Sequence, residues 1–196
     1  THGIVGNPHL HNRPLSIGRP APEYGIAIVE DDSVPVRDAR HVEPGGSGQL
    51  LIRGVRGLSL FHEYLGNPRA TADSFDPDGW FRTGDLATMD SEGYFTIVDR
   101  KKDMILRGGM NVYPREVEEC IYEHPDVLEV AVVGIPDELY GEQVGAAVAL
   151  REGSTATPED IIDFAKERIA AYKYPRQVWV VSALPKGPTG KNLRRG

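Results

Sequence analysis

Three short stretches of this chain hold residue types able to do chemistry. In Trp80-Phe-Arg-Thr-Gly-Asp85, a carboxylate follows a glycine turn, a geometry suited to accepting two hydrogen bonds from vicinal hydroxyls such as those of a ribose. The same Thr-Gly-Asp also reads as a plain turn or a helix cap. In Asp99-Arg-Lys-Lys-Asp103 an apolar strand runs into consecutive charges, and Met104 to Pro114 follows as a hairpin. Its Gly108 and Gly109 permit positive φ and the close approach of another group. The third stretch, Pro185-Lys-Gly-Pro-Thr-Gly-Lys191, ends a Gly- and Pro-rich loop on an ammonium. It lacks the spacing of a P-loop, because Gly187 lies too close to Gly190 and Asn192 stands where Ser or Thr would. Read alone, it is an exposed tail.

Other chemistries find little support. There are six histidines and one cysteine, and no HExxH spacing, so no metal site is expected, although His9 and His11 share a face in any extended segment. No Gly-x-Ser-x-Gly elbow occurs. A net charge of −7 argues against a surface built to neutralise nucleic acid or anionic lipid. A single cysteine, Cys120, permits no internal disulfide; an inert core thiol and a cytoplasmic setting are expected. No run reaches the roughly 20 apolar residues of a membrane span. The chain starts on Thr1 without an initiator Met, so an excised segment is expected.

The elements that must carry these stretches fall into two halves. With 196 residues, 40% hydrophobic and 26% charged, the chain has the make-up of one large or two small globular domains. From Gly18 to about Val98, short β-rich runs such as 24–29, 49–53 and 94–98 alternate with turns at Pro77-Asp-Gly79 and Asp90-Ser-Glu-Gly93. A small antiparallel barrel or sandwich is expected there. After Arg100 helical stretches interleave with continuous apolar runs at 127–133, 144–150 and 177–181, implying a compact α/β or α+β unit. Pro114 opens one helix, to Glu123, with Val117, Cys120 and Ile121 on one face. Thr157-Pro-Glu-Asp160 opens a second as a capping box, with Ile161, Ala165 and Ile169 in its stripe. Boundaries are placed at 1–100 and 101–196, with a short polar hinge at 100–103.

Taken together and in order, these motifs resemble the ANL superfamily of adenylating enzymes, which contains acyl-CoA synthetases, peptide-synthetase adenylation domains and beetle luciferases. The resemblance runs from about Ser16 to Arg195 and is nearest to acyl-CoA synthetases of the long-chain fatty acid and carnitine–CoA ligase type. It implies that residues 1–100 end a large amino-terminal adenylation domain and that 101–196 form a mobile carboxyl-terminal domain. The phosphate loop and acyl pocket would then lie upstream of Thr1, and the chain alone would be inactive. By resemblance, Asp85 binds the ribose hydroxyls of ATP, Arg100 also contacts the nucleotide, and Lys102 stands at the hinge. Gly108 and Gly109 line the path of the CoA pantetheine; Arg107 departs from the small Ser common beside them. Lys191 matches the invariant lysine of the adenylating pose. A positioned ammonium about 4 Å from a phosphate, at an effective dielectric near 20, is worth roughly 4 kcal/mol, on the order of 10³ in rate. ATP with Mg and CoA are the implied cofactor and co-substrate, and a carboxylic acid, by family frequency a fatty acid, is the implied substrate. Two other readings stand beside this one: transfer to another acceptor, above all a carrier-protein thiol, and a non-catalytic binding module.

Overall fold

The computed structural model describes Val5–Gly6, Arg13 and residues 15–186. The chain separates into two compact units, Thr1–Lys101 and Lys102–Gly196.

The first unit holds β1 (Val5–Gly6), β2 (Ser16–Pro20), β3 (Gly25–Val29), β4 (Ser47–Arg53), helix α1 (Pro68–Asp73), β5 (Phe81–Met89) and β6 (Phe95–Arg100). They form one antiparallel sheet in the order β1-β2-β6-β5-β4-β3. Among the described residues no ladder joins β1 to β3, so the β-rich unit expected as a small barrel or sandwich takes the form of an open antiparallel sheet. The outer edge of β3 is covered instead by the returning chain: Glu30 N–H donates to Arg40 O at 3.0 Å and Val42 N–H to Ile28 O at 2.9 Å. Alternation along β3 and β4 sends Ala27, Val29 and Leu51 to one face with Val36 and Trp80. Ile28 and Leu50 go to the other, with Ala87 and Phe95. Both faces are therefore apolar, and a fully buried Leu51 contributes about 2 kcal/mol.

Two turns of this unit share one design, Asp-x-x-Gly followed by an aromatic residue. Asp76 accepts from Asp78 N–H and Trp80 N–H at 2.9 and 2.8 Å, and Asp90 accepts from Glu92 N–H and Tyr94 N–H, both at 2.9 Å. Gly79 and Gly93 take φ of +83° and +80°, the left-handed backbone anticipated at both turns. Asp76 is buried and also accepts from Val36 N–H at 3.0 Å, tying the start of β5 to the loop beyond β3.

In the second unit β7 (Ile105–Arg107) and β8 (Met110–Val112) form the expected hairpin. Helix α2 (Pro114–Tyr122), β9 (Val127–Asp137), β10 (Gly141–Leu150), helix α3 (Pro158–Lys166) and β11 (Gln177–Val181) follow. β9 runs antiparallel along the whole of β10, while β11 lies parallel to β10 from Gly145 onward. This is an α+β unit. Both helices turn one face to the sheet: Val117, Cys120, Ile121, Ile161 and Ala165 join Val130, Val132, Val144, Ala146 and Val148 in one core. Thr157 Oγ1 accepts from Asp160 N–H at 3.2 Å and the Asp160 carboxylate accepts from Thr157 N–H at 2.8 Å, completing the capping box. α3 ends at Lys166, so Ile169 reaches the core from the turn beyond the helix, not from within it. Burial pushes the Cys120 thiol pKa up, as suits a core side chain. Among the described residues no helix is long and apolar enough to cross a membrane.

Candidate functional site

The register of β4 against β5 explains how Asp85 is presented. Leu51 pairs with Arg82 and Gln49 with Leu86, so β4 spends Leu50 alone where β5 spends Thr83, Gly84 and Asp85. The surplus bulges outward. Gly84 takes φ +74°, which a side chain would resist, and Thr83 Oγ1 donates to Leu50 O at 2.8 Å, occupying an acceptor the ladder leaves open. Thr83 Oγ1 in turn accepts from Asp85 N–H at 3.0 Å. The motif anticipated as a glycine turn is thus a bulge inside a nine-residue strand, not a chain reversal.

Across the ladder Asp85 pairs in register with Arg100, the last residue of β6, and Arg100 Nε lies 3.0 Å from Asp85 Oδ1. The two predicted residues are brought together. The Asp85 side chain keeps a quarter of its surface exposed, and among the described residues its second oxygen has no partner. Burial raises the Asp85 pKa above the ordinary carboxylate value, and the Arg100 charge opposes that rise. The carboxylate is therefore under-solvated, with one acceptor face still available to hydroxyl donors.

Beyond Arg100 the chain forms a single 3-10 turn, Lys101–Asp103, which contains Lys102. Lys101 Nζ makes an ion pair of 2.7 Å with Asp32, which is buried in the loop after β3 and whose carbonyl accepts from Arg82 Nε at 2.8 Å. This anchor was not foreseen: its partners stand 69 residues apart, and Asp31-Asp32-Ser33 reads as an ordinary polar turn.

Gly108 and Gly109 occupy the β7–β8 turn with φ of +56° and +82°. Gly108 N–H donates to Tyr140 O at 2.8 Å, and a Cβ at Gly108 would come within 3.1 Å of the Tyr140 ring. Nothing lies within 4 Å of a Cβ placed at Gly109, so that face of the turn is open to an approaching chain. Arg107 donates through Nε to Gln143 Oε1 and lays its guanidinium 4.2 Å over the Tyr140 ring. Lys191, His9 and His11 lie outside the described residues. Among the described residues no three His, Cys, Asp or Glu gather as metal ligands.

Comparison with known proteins adds a family to this geometry. Residues 116–191 match the AMP-binding enzyme C-terminal domain. A long-chain-fatty-acid–CoA ligase of Bacillus subtilis is 41% identical over 184 residues, covering 94% of this chain and 31% of the relative. A crotonobetaine/carnitine–CoA ligase of Salmonella arizonae is 38% identical over 98% of the chain and 36% of its own length. Among solved structures, ATP-bound MatB from Rhodopseudomonas palustris superposes with a TM-score of 0.82 at 32% identity, covering 94% of this chain and 35% of that one. The chain spans about a third of the length of the relatives it matches.

Proposed function

The chain belongs to the ANL superfamily of adenylate-forming enzymes, whose AMP-binding C-terminal domain it carries, and from that premise we propose that it serves an ATP-dependent acid–thiol ligase. The whole protein would join a carboxylic acid, a fatty acid being the first candidate, to CoA. One carboxylate oxygen of the acid attacks the α-phosphorus and pyrophosphate leaves with the bonding pair. The CoA sulfur then attacks the acyl carbon, AMP departs, and the thiol proton passes to solvent. A cytoplasmic setting agrees with one buried, unpaired cysteine.

The observation that carries this reading is the Asp85–Arg100 pair on its bulge, a carboxylate held on one side by a guanidinium and open on the other. In the proposed role Asp85 receives the two ribose hydroxyls, while Arg100 both orients it and contacts the nucleotide. Lys102, in the 3-10 turn, is the pivot between an adenylating and a thiol-transferring pose, and Gly108 and Gly109 give the pantetheine arm its path. Lys191 would bring its ammonium to the α-phosphate, where two anions must meet. The magnesium that accompanies ATP finds no ligand set among the described residues.

The test is made on the natural full-length protein. Lys191→Ala is expected to slow acid-dependent ATP–pyrophosphate exchange about 10³-fold, the worth of one close charge. Normal exchange in this variant would sink the assignment. With CoA as sole acceptor, mass spectrometry should find the acyl-CoA; exchange without thioester would point to a carrier-protein thiol instead.

A further inference from the structure

One carboxylate of β9 clamps the stretch of chain that leads to Lys191. β11 ends at Val181, which is level in register with Ala149 of β10 and, beyond it, Glu129 of β9. Two ladder spacings, roughly 10 Å, therefore separate the end of β11 from Glu129. Residues 182–186 bridge that distance. Leu184 is buried, with 4% of its surface exposed, and Lys186 Nζ donates to Glu129 Oε1 at 2.6 Å. After β11 the chain thus turns back across β10 and is tied to the strand on its other side.

Glu129 holds this stretch at two points. The hydrogen bond from Lys186 keeps the Glu129 carboxyl below the ordinary carboxylate range in spite of some burial, and the Lys186 charge and the Leu184 N–H add to that effect. Between the two anchors stands Pro185, whose ring fixes φ and stiffens the link. Leu184 cannot leave without exposing an apolar side chain, and Lys186 cannot swing away without parting an ion pair. The side chains of that pair are 26% and 50% exposed, and ion pairs so placed contribute little to global stability. What this one governs is local. Lys191 follows Lys186 by five residues, no more than about 18 Å of chain, so the clamp sets where the lysine loop starts. A reacting group displaced by about 1 Å can lose on the order of 10² in rate.

We propose that Glu129 is a positioning residue for the adenylating half-reaction: through Leu184 and Lys186 it fixes the start of the loop that brings Lys191 to the α-phosphate. This rests on Lys191 being the adenylating lysine. The consequence is a loss confined to one half-reaction, because the transfer to thiol makes no use of that ammonium.

Glu129→Gln and Lys186→Met are made in the full-length protein, each alone and each combined with Lys191→Ala. Two rates are measured: acid-dependent ATP–pyrophosphate exchange, and thioester formation from a supplied acyl-adenylate and CoA. Either single change is expected to slow exchange about 10- to 100-fold, less than loss of Lys191 itself, with KM for ATP within about twofold. Thioester formation from the supplied adenylate should stay within about twofold of the parent. In the Lys191→Ala background neither change should slow exchange further, since a loop that delivers no charge gains nothing from its clamp. A purely structural role would lower both rates and would add to the Lys191→Ala loss; either result overturns the proposal. So does normal exchange in both single variants while Lys191→Ala is slow, and that result leaves the reading of Lys191 intact. Normal exchange in Lys191→Ala would discard that reading and the proposal with it.

Discussion

Asp85 is placed where its charge is costly to the fold, which separates its effect on stability from its effect on ligand. Its folded pKa is raised, chiefly by burial and in spite of Arg100. The folded chain therefore binds that proton more tightly than the unfolded chain does, and stability falls as pH rises through the interval between the two values. Asp85→Asn removes this penalty. The ion pair it gives up involves an Arg100 side chain that is 58% exposed, and such pairs contribute little. The thermal midpoint of Asp85→Asn at neutral pH should equal or exceed that of the parent, with the difference shrinking in acid. In the full-length protein the same change should weaken ATP about 10- to 100-fold, as expected when a charged acceptor of two hydroxyls becomes a neutral one. A lower midpoint together with unchanged ATP affinity would mean that Asp85 is structural and the bulge holds no ribose.

At the level of elements, the two Asp-x-x-Gly turns differ in burial, and that sets their worth. Asp76→Ala should cost about 3 kcal/mol, since three N–H donors lose one buried carboxylate. Asp90→Ala should cost less, because Asp90 is partly exposed and its third donor is the partly exposed guanidinium of Arg13, not a buried backbone N–H. Hydrogen bonding, foremost from Tyr94 N–H, lowers the Asp90 pKa below the usual carboxylate value. Its contribution is thus present above the unfolded-chain value and lost as pH falls through the folded one. Urea midpoints at neutral and acid pH should converge for Asp90→Asn and its parent in acid. Sequence alone reveals these turns because their signals are local, as are the capping box of α3 and the proline that opens α2. α1 escapes for the opposite reason. Asn67 caps it, its Oδ1 accepting from Ala70 N–H at 3.0 Å, but only Thr71 is buried and no apolar stripe marks it. The Thr83–Asp85 bulge is also illegible, since its surplus exists only relative to β4, some thirty residues away. The Asp85–Arg100 pair lay within the motifs, but its register did not.

For the whole molecule, the division at Lys101 and Lys102 has a thermodynamic consequence. Each unit has its own apolar interior: Leu51 and Val29 in the first, Ile121, Val130, Val132 and Val144 in the second, with no residue shared between these clusters. Each also has one tryptophan, Trp80 and Trp179, among the two in the sequence. Cavity formation at Ile121, which is fully buried, should cost about 3 kcal/mol as Ile121→Ala. A loss confined to one core acts on the unit that owns it. In a Trp80→Phe background, the fluorescence transition of Trp179 should therefore move to lower denaturant in Ile121→Ala, with the slope of the transition unchanged. In a Trp179→Phe background, the transition reported by Trp80 should stay where it was. Equal shifts at both reporters would show that the chain unfolds as one cooperative body, and the two cores would then not be independent units.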